Sequence, residues 1–115
     1  STTPVLPDDK ELLRGKCIIA IGSYMPEMRE IPDAVLDLVD NVYIELPYAC
    51  EESGDLSQPL ASGKLTKDRI KLMHEYLVSG EKEIKEGQTT YFKSVGMGLF
   101  DVCIAQKLYE VAKEK

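Results

Sequence analysis

Two short stretches carry residues whose types and spacing suit ligand chemistry. The first is Gly22-Ser23-Tyr24-Met25-Pro26, which directly follows the continuous apolar run Cys17 to Ile21. Open α/β sheets hold their ligands at the carboxyl ends of parallel strands, so position makes Ser23 and Tyr24 candidate binding residues. The alternative is a loop whose Ser and Tyr only bond backbone. The second stretch is Thr89 to Tyr109, TTYFKSVGMGLFDVCIAQKLY. It is rich in β-branched and aromatic residues as far as Val95, breaks at Gly96 and Gly98, and then places Ile104, Leu108 and Val111 on one helical stripe. A strand, glycine turn and helix bring backbone N–H groups and a positive helix end towards a polar or anionic ligand.

Gly96-Met97-Gly98 followed by Asp101 is a near miss of the dinucleotide fingerprint. Asp101 stands where a small residue would let the helix pack on the strand. The second strand and the acidic ribose ligand about 20 residues further on are also missing. The stretch is therefore not a complete nucleotide-binding motif. His74, the single histidine, falls off the apolar stripe of its segment and reads as exposed. With no second ligand at suitable spacing, no metal site is expected. Cys17, Cys50 and Cys103 lie far apart in apolar segments and read as small hydrophobes in a reducing compartment. No residue acquires a catalytic role from these letters alone.

The bulk properties narrow the class. A chain of 115 residues is one globular domain at most. Its 43% hydrophobic and 30% charged content is that of a soluble protein. A net charge of -6 lacks the basic field that phosphate backbones require, so nucleic acid is not an expected partner. No run of about 20 apolar residues suggests a membrane span and no signal peptide is evident, which fits a cytoplasmic protein. The opening Ser1-Thr2-Thr3-Pro4, without methionine, looks cut from something longer.

The elements that must position these residues follow from the patterning. Asp8 to Leu13 makes a short helix start, ended by Gly15. Cys17 to Ile21, apolar without alternation, predicts a parallel core strand covered on both faces. Asp33 predicts an N-cap ahead of a helix with Ala34, Val35, Leu38 and Val39 inside. Val42 to Leu46 alternates and predicts a strand towards a sheet edge. Pro47 and Gly54 should bracket one short helix, and Gly63 should close a helical or irregular segment. Thr66 predicts the cap of a helix with Ile70, Met73, Tyr76 and Leu77 inward and Gly80 as its stop. The mixed charges from 81 to 87 read as solvated. The last helix is apolar around its whole circumference in its first half, and such a helix needs cover on all sides.

IAIGSYMPEMREIP, then a strand, then ESGDL, then TTYFKSVGMGLFDVCIAQKLYE, in that order, resembles the C-terminal part of the ornithine cyclodeaminase and mu-crystallin family. The resemblance runs from about Thr2 to Tyr109 and rests on three separated motifs. It implies an α/β fold holding the late strands of a Rossmann-like, doubly wound parallel sheet. It implies that residues 1–87 close a dinucleotide-binding domain, and that residues 88–115 form a strand and helix returning to a second, dimerisation and substrate domain. It also implies NAD or NADP as cofactor in the complete family, homodimeric association, and a small amino acid or imine as substrate.

Carried residue by residue, the resemblance makes Gly22, Ser23, Lys93, Ser94, Val95 and Gly96 cofactor-binding and Tyr24 substrate-binding. Ser23 and Ser94 would orient the cofactor amide, and Lys93 would stand at the rim of the site. Cyclodeaminases carry an aspartate where Tyr24 stands here. A phenol with a pKa near 10 cannot replace a carboxylate as counter-charge at neutral pH, which favours a reductase or dehydrogenase. Without the glycine fingerprint, the chain is expected to bind the cofactor weakly and to be inactive alone. The competing expectation is a stand-alone α/β binding or interaction module without catalysis.

Overall fold

The computed structural model describes residues 1–80 and 84–114. Part of the charge run from 81 to 87 lies outside the described residues. Four parallel strands form one sheet: β1 (Cys17–Ala20), β2 (Val42–Ile44), β3 (Ile70–Leu72) and β4 (Thr90–Lys93), in the spatial order β1-β4-β2-β3. The helices are α1 (Lys10–Leu13), α2 (Asp33–Leu38), α3 (Ala49–Glu52), α4 (Gly54–Ser62), α5 (Met73–Ser79) and α6 (Gly98–Lys113). The α/β class with a parallel sheet agrees with the expectation.

Strand alternation divides the sheet into two unlike faces. On one, Ile18, Ala20, Val42, Ile44 and Tyr91 join Val35, Leu36, Ala49, Leu56 and Leu65 in a closed apolar core. On the other, the ring of Tyr43 lies 5.2 Å from that of Tyr76 on α5, which covers β2. On the same face, beyond β4, β1 is bare, with Ile19 64% exposed, and Ile21 just after it is 73% exposed. The expectation of a β1 buried on both faces is therefore corrected: one face is open, and β1 is an edge strand. The opposite correction applies to β2. Its alternation points to an edge, yet it is internal, and all three of its residues are buried.

Local chemistry explains the other departures. Asp33 does not cap α2; it is the first helical residue and pairs with Arg29, while the Ala34 N–H donates to Asp8 Oδ1. At the other end of α2, the Arg69 guanidinium donates to the carbonyls of Leu36, Val39, Asp40 and Lys64, satisfying a helix terminus with a side chain remote in sequence. Gly54 does not stop a helix but begins α4, with Ser53 as its N-cap. Its missing side chain is a packing requirement, since a Cβ there would strike the carbonyl oxygens of Pro26 and Met28. Gly63 and Gly80 do close helices, both in the left-handed conformation.

The helix expected from Thr66 to Gly80 is divided. Residues 67–69 form a 3₁₀ turn, Ile70–Leu72 pair with β2, and only Met73–Ser79 are α-helical. Leu77 is exposed, against expectation, and His74 is exposed in agreement with it. Cys50 is half-buried, and loss of solvent pushes its thiol above the ordinary range, as befits a small hydrophobe. Cys17 and Cys103 are exposed instead.

The resemblance sends the segment after Gln88 to a second domain. Its first part does not leave: β4 lies between β1 and β2, at the centre of the sheet. What departs is α6. All of its residues are exposed, including Leu99, Phe100, Val102, Ile104 and Leu108. Sixteen residues make a rod about 24 Å long, in keeping with a long axis of 50 Å for a body otherwise 32 by 26 Å.

Candidate functional site

Because β1, β4 and β2 are neighbours and parallel, their carboxyl ends bring three loops to one edge of the sheet. These are residues 21–31 after β1, Ser94–Met97 after β4, and Glu45–Tyr48 after β2. The two stretches picked out in the sequence therefore meet in space. What holds them there is a set of carboxylates, of which Asp55 and Glu45 are buried and Glu30 is half-buried.

Glu30 Oε2 accepts the N–H groups of Gly22 and Ser23 at 2.8 and 3.2 Å, closing the loop after β1 on itself. Asp55 Oδ1, from the first turn of α4, accepts the N–H groups of Glu30 and Ile31 at 2.7 and 2.9 Å. Ser23 is fully buried and donates to the Met28 carbonyl at 2.7 Å, so its oxygen accepts from the Ser53 hydroxyl, 2.8 Å away. Lys93, the last residue of β4, has no exposed side-chain surface; its Nζ lies 3.4 Å from Asp55 Oδ2 and 3.8 Å from Glu30 Oε2. The Tyr91 hydroxyl, on the same face of β4, is buried without a hydrogen-bond partner. Burial, and then the charge of Asp55, hold that phenol well above its ordinary value.

The loop after β4 is organised in the same manner. Glu45 Oε1 accepts from the Ser94 hydroxyl at 3.0 Å, the Val95 N–H at 2.7 Å and the Gly96 N–H at 3.2 Å. Tyr48 donates its hydroxyl to the Gly96 carbonyl at 2.6 Å. Loss of solvent, then the charges of Glu45 and Glu52, raise the Tyr48 phenol, which keeps it a donor at neutral pH. Gly96 takes a φ of 87°, the conformation that frees the chain to turn into α6.

The expected site residues thus share one edge but not one role. Tyr24 is 59% exposed and free to meet a ligand. Ser23 faces no open groove and Lys93 is not at a rim; both belong to the interior. The N–H groups of Val95 and Gly96, at the turn expected to face a ligand, are taken up by Glu45, and those of Gly22 and Ser23 by Glu30. Sequence reasoning missed Glu30, Glu45, Tyr48, Ser53 and Asp55. The ESGDL motif contains two of them, Ser53 and Asp55, and IAIGSYMPEMREIP contains Glu30, but neither motif gave these residues a role. Among the described residues, no cluster of three or more His, Cys, Asp or Glu could hold a metal, and no helix is long and apolar enough to cross a membrane.

This arrangement has kin. The chain is 36% identical, over all of its length, to delta(1)-pyrroline-2-carboxylate reductases from two strains of Bacillus cereus, and covers 36% of each. It is 30% identical to the Arabidopsis thaliana protein SAR DEFICIENT 4, with 96% of this chain and 34% of that protein aligned. The chain thus spans about a third of the length of the curated relatives it matches.

Among solved structures, a probable ornithine cyclodeaminase from Bordetella pertussis superposes with a TM-score of 0.80 at 29% identity, covering all of this chain and 37% of that one. The delta(1)-pyrroline-2-carboxylate reductase of Thermococcus litoralis, in complex with NADH and L-proline, shares the fold with a TM-score of 0.77 at 24% identity, over 96% of this chain and 35% of that one. These matches carry the family but not the expected assignment of the chain to the family's C-terminal part. Since the family model for ornithine cyclodeaminase/mu-crystallin matches residues 1–115, the whole sequence, the chain belongs to that family.

Proposed function

We propose that the chain is part of an NAD(P)H-dependent reductase acting on a cyclic imine that bears a carboxylate, of the delta(1)-pyrroline-2-carboxylate type. One structural observation carries this reading: the loops 22–24 and 94–96 are fixed side by side at the carboxyl edge of a parallel sheet, where such folds hold ligands. The 36% identity to pyrroline-carboxylate reductases supports the substrate class. So does Tyr24, whose exposed phenol offers hydrogen bonding without the charge a cyclodeaminase aspartate would supply.

The chemistry of this edge limits which end of the cofactor it fits. Glu30 and Glu45 already occupy the loop N–H groups and add negative charge, which opposes a diphosphate. An uncharged ring with its carboxamide fits better, beside the exposed Tyr24. When bound, the nicotinamide supplies the hydride. This chain's residues would hold the loops that border the ring. The diphosphate needs a glycine fingerprint, which the chain does not carry in complete form.

On the same reading the sheet is part of a larger doubly wound one. The bare face of β1 and the apolar surface of α6 take their cover from other segments or from a second copy. The competing reading, a binding module complete in itself, has to leave that surface in water.

The test compares the 115-residue chain with the complete gene product that carries it. The complete protein should oxidise NADH or NADPH on addition of 1-pyrroline-2-carboxylate, and the 115 residues alone should show no micromolar NADH binding by fluorescence. A complete protein inert towards cyclic imines would overturn the substrate class. Micromolar NADH affinity of the isolated chain would overturn its status as a part.

A further inference from the structure

We infer that Glu45 is a positioning residue for the loop that follows β4, with Tyr48 as its second point of attachment. On the functional reading above, on which this role rests, the two set cofactor affinity without touching the cofactor. One carboxylate oxygen gathers three donors from consecutive residues, Ser94, Val95 and Gly96. Tyr48, three residues further on, holds the carbonyl of the same Gly96. The C=O of Gly96 is thereby pinned from another loop, and its N–H is shared between Glu45 Oε1 at 3.2 Å and Ser94 Oγ at 3.1 Å, just where the chain turns into α6.

This is more than a loop needs in order to hold together. Glu45 is 5% exposed, its second oxygen Oε2 is buried without a hydrogen-bond partner, and no Lys or Arg forms an ion pair with it among the described residues. A buried carboxylate lacking a cation is costly, and such departures from good packing gather at functional sites. Lys93, one residue before this loop, is committed to Asp55 and Glu30 instead. The Glu45 charge therefore has no cation beside it and is met only by the three donors on Oε1. That places a fixed negative charge where it opposes a phosphate and tolerates a neutral amide, while orienting Ser94 through its hydroxyl.

The experiment uses the complete gene product with Glu45→Leu, Glu45→Gln and Tyr48→Phe, reading amide hydrogen exchange at Val95 and Gly96 beside NADH affinity, kcat and KM. Glu45→Leu should speed exchange at both amides and weaken NADH binding, each by about tenfold or more, the loss expected for a charge-assisted hydrogen bond. Glu45→Gln keeps an acceptor oxygen of about half the strength, so in both readouts it should fall between the parent and Glu45→Leu. Tyr48→Phe, a milder change that should fold whatever happens to the leucine variant, should speed exchange at Gly96 and raise KM for NADH with kcat kept.

Parental exchange at Val95 and Gly96 in both Glu45→Leu and Tyr48→Phe would overturn the positioning role. Faster exchange with unchanged NADH affinity would overturn its link to the cofactor. A parent protein that binds no NADH defeats the functional reading instead, and the exchange rates then decide the positioning role by themselves.

Discussion

The Lys93 ammonium lies 3.4 Å from Asp55 Oδ2, and neither side chain has any exposed surface. The pair joins the carboxyl end of β4 to the first turn of α4, and Glu30, 3.8 Å from the same ammonium, extends it to the loop after β1. Asp55 and Glu30 in turn bind backbone N–H groups, so a single buried cation stands behind the shape of residues 22–31.

Removing that cation while keeping its volume should therefore be costly. Lys93→Met leaves the buried Asp55 carboxylate and the part-exposed Glu30 without their shared cation, and breaking a buried pair such as Lys93–Asp55 costs about 3–5 kcal/mol. The double variant Lys93→Met with Asp55→Asn should recover part of the loss, since the amide oxygen can still accept the N–H groups of Glu30 and Ile31. Urea unfolding of the parent and both variants checks this. A loss for Lys93→Met below about 1 kcal/mol, the size of a surface pair, would mean that the cluster contributes little.

Tyr91 should make the protein sensitive to alkali. Its phenol is held well above the ordinary value by burial and by Asp55. Below pH about 10 both folded and unfolded states keep the proton; above it the unfolded chain releases the proton while the folded one retains it, so stability falls as pH rises. The slope from one such group approaches about 1.4 kcal/mol per pH unit. Tyr91→Phe should flatten it, and at about pH 7 should be neutral or stabilising by about 1 kcal/mol, since the hydroxyl is buried without a partner. Thermal melts between about pH 8 and about pH 11 decide; an unchanged alkaline slope in the phenylalanine variant would refute the assignment.

Two glycines at helix starts should respond oppositely to alanine. At Gly54 a Cβ meets backbone carbonyl oxygens that no side-chain rotation can move, so Gly54→Ala should destabilise by at least about 2 kcal/mol. At Gly98, the first residue of α6, no atom lies within 4 Å of the place a methyl carbon would take, and Gly98→Ala should be neutral or stabilising by up to about 1 kcal/mol. Paired denaturation midpoints test both, and equal effects would show that α4 is not seated against the 26–28 segment as described.

Much of the local structure was legible because it depends on near neighbours in the chain. The strand, turn and helix from Thr89 onward appear as β4, Gly96 at positive φ and α6. Gly63 and Gly80 end helices as glycines do. Where reading failed, a distant segment outweighed local preference. Residues 66–80 have helical spacing, yet Ile70–Leu72 pair with β2, because an unpaired sheet edge offers three residues hydrogen bonds that a helix would otherwise supply. Gly54 has the look of a stop, but packing against the loop after β1 makes it a start.

By itself the amino-acid order determined the α/β class, the glycine punctuation, the all-round apolar last helix and the two stretches that bear on function, because propensity, turn chemistry and periodicity act over a few residues. Tertiary structure alone decided that β4 enters between β1 and β2, that Glu45 turns inward, and that Lys93 and Ser23 are interior while Tyr24 faces out. The reason is physical: whether a charge in a strand meets water or a partner depends on which loops the sheet order brings beside it, and that order is settled by contacts between residues tens of positions apart.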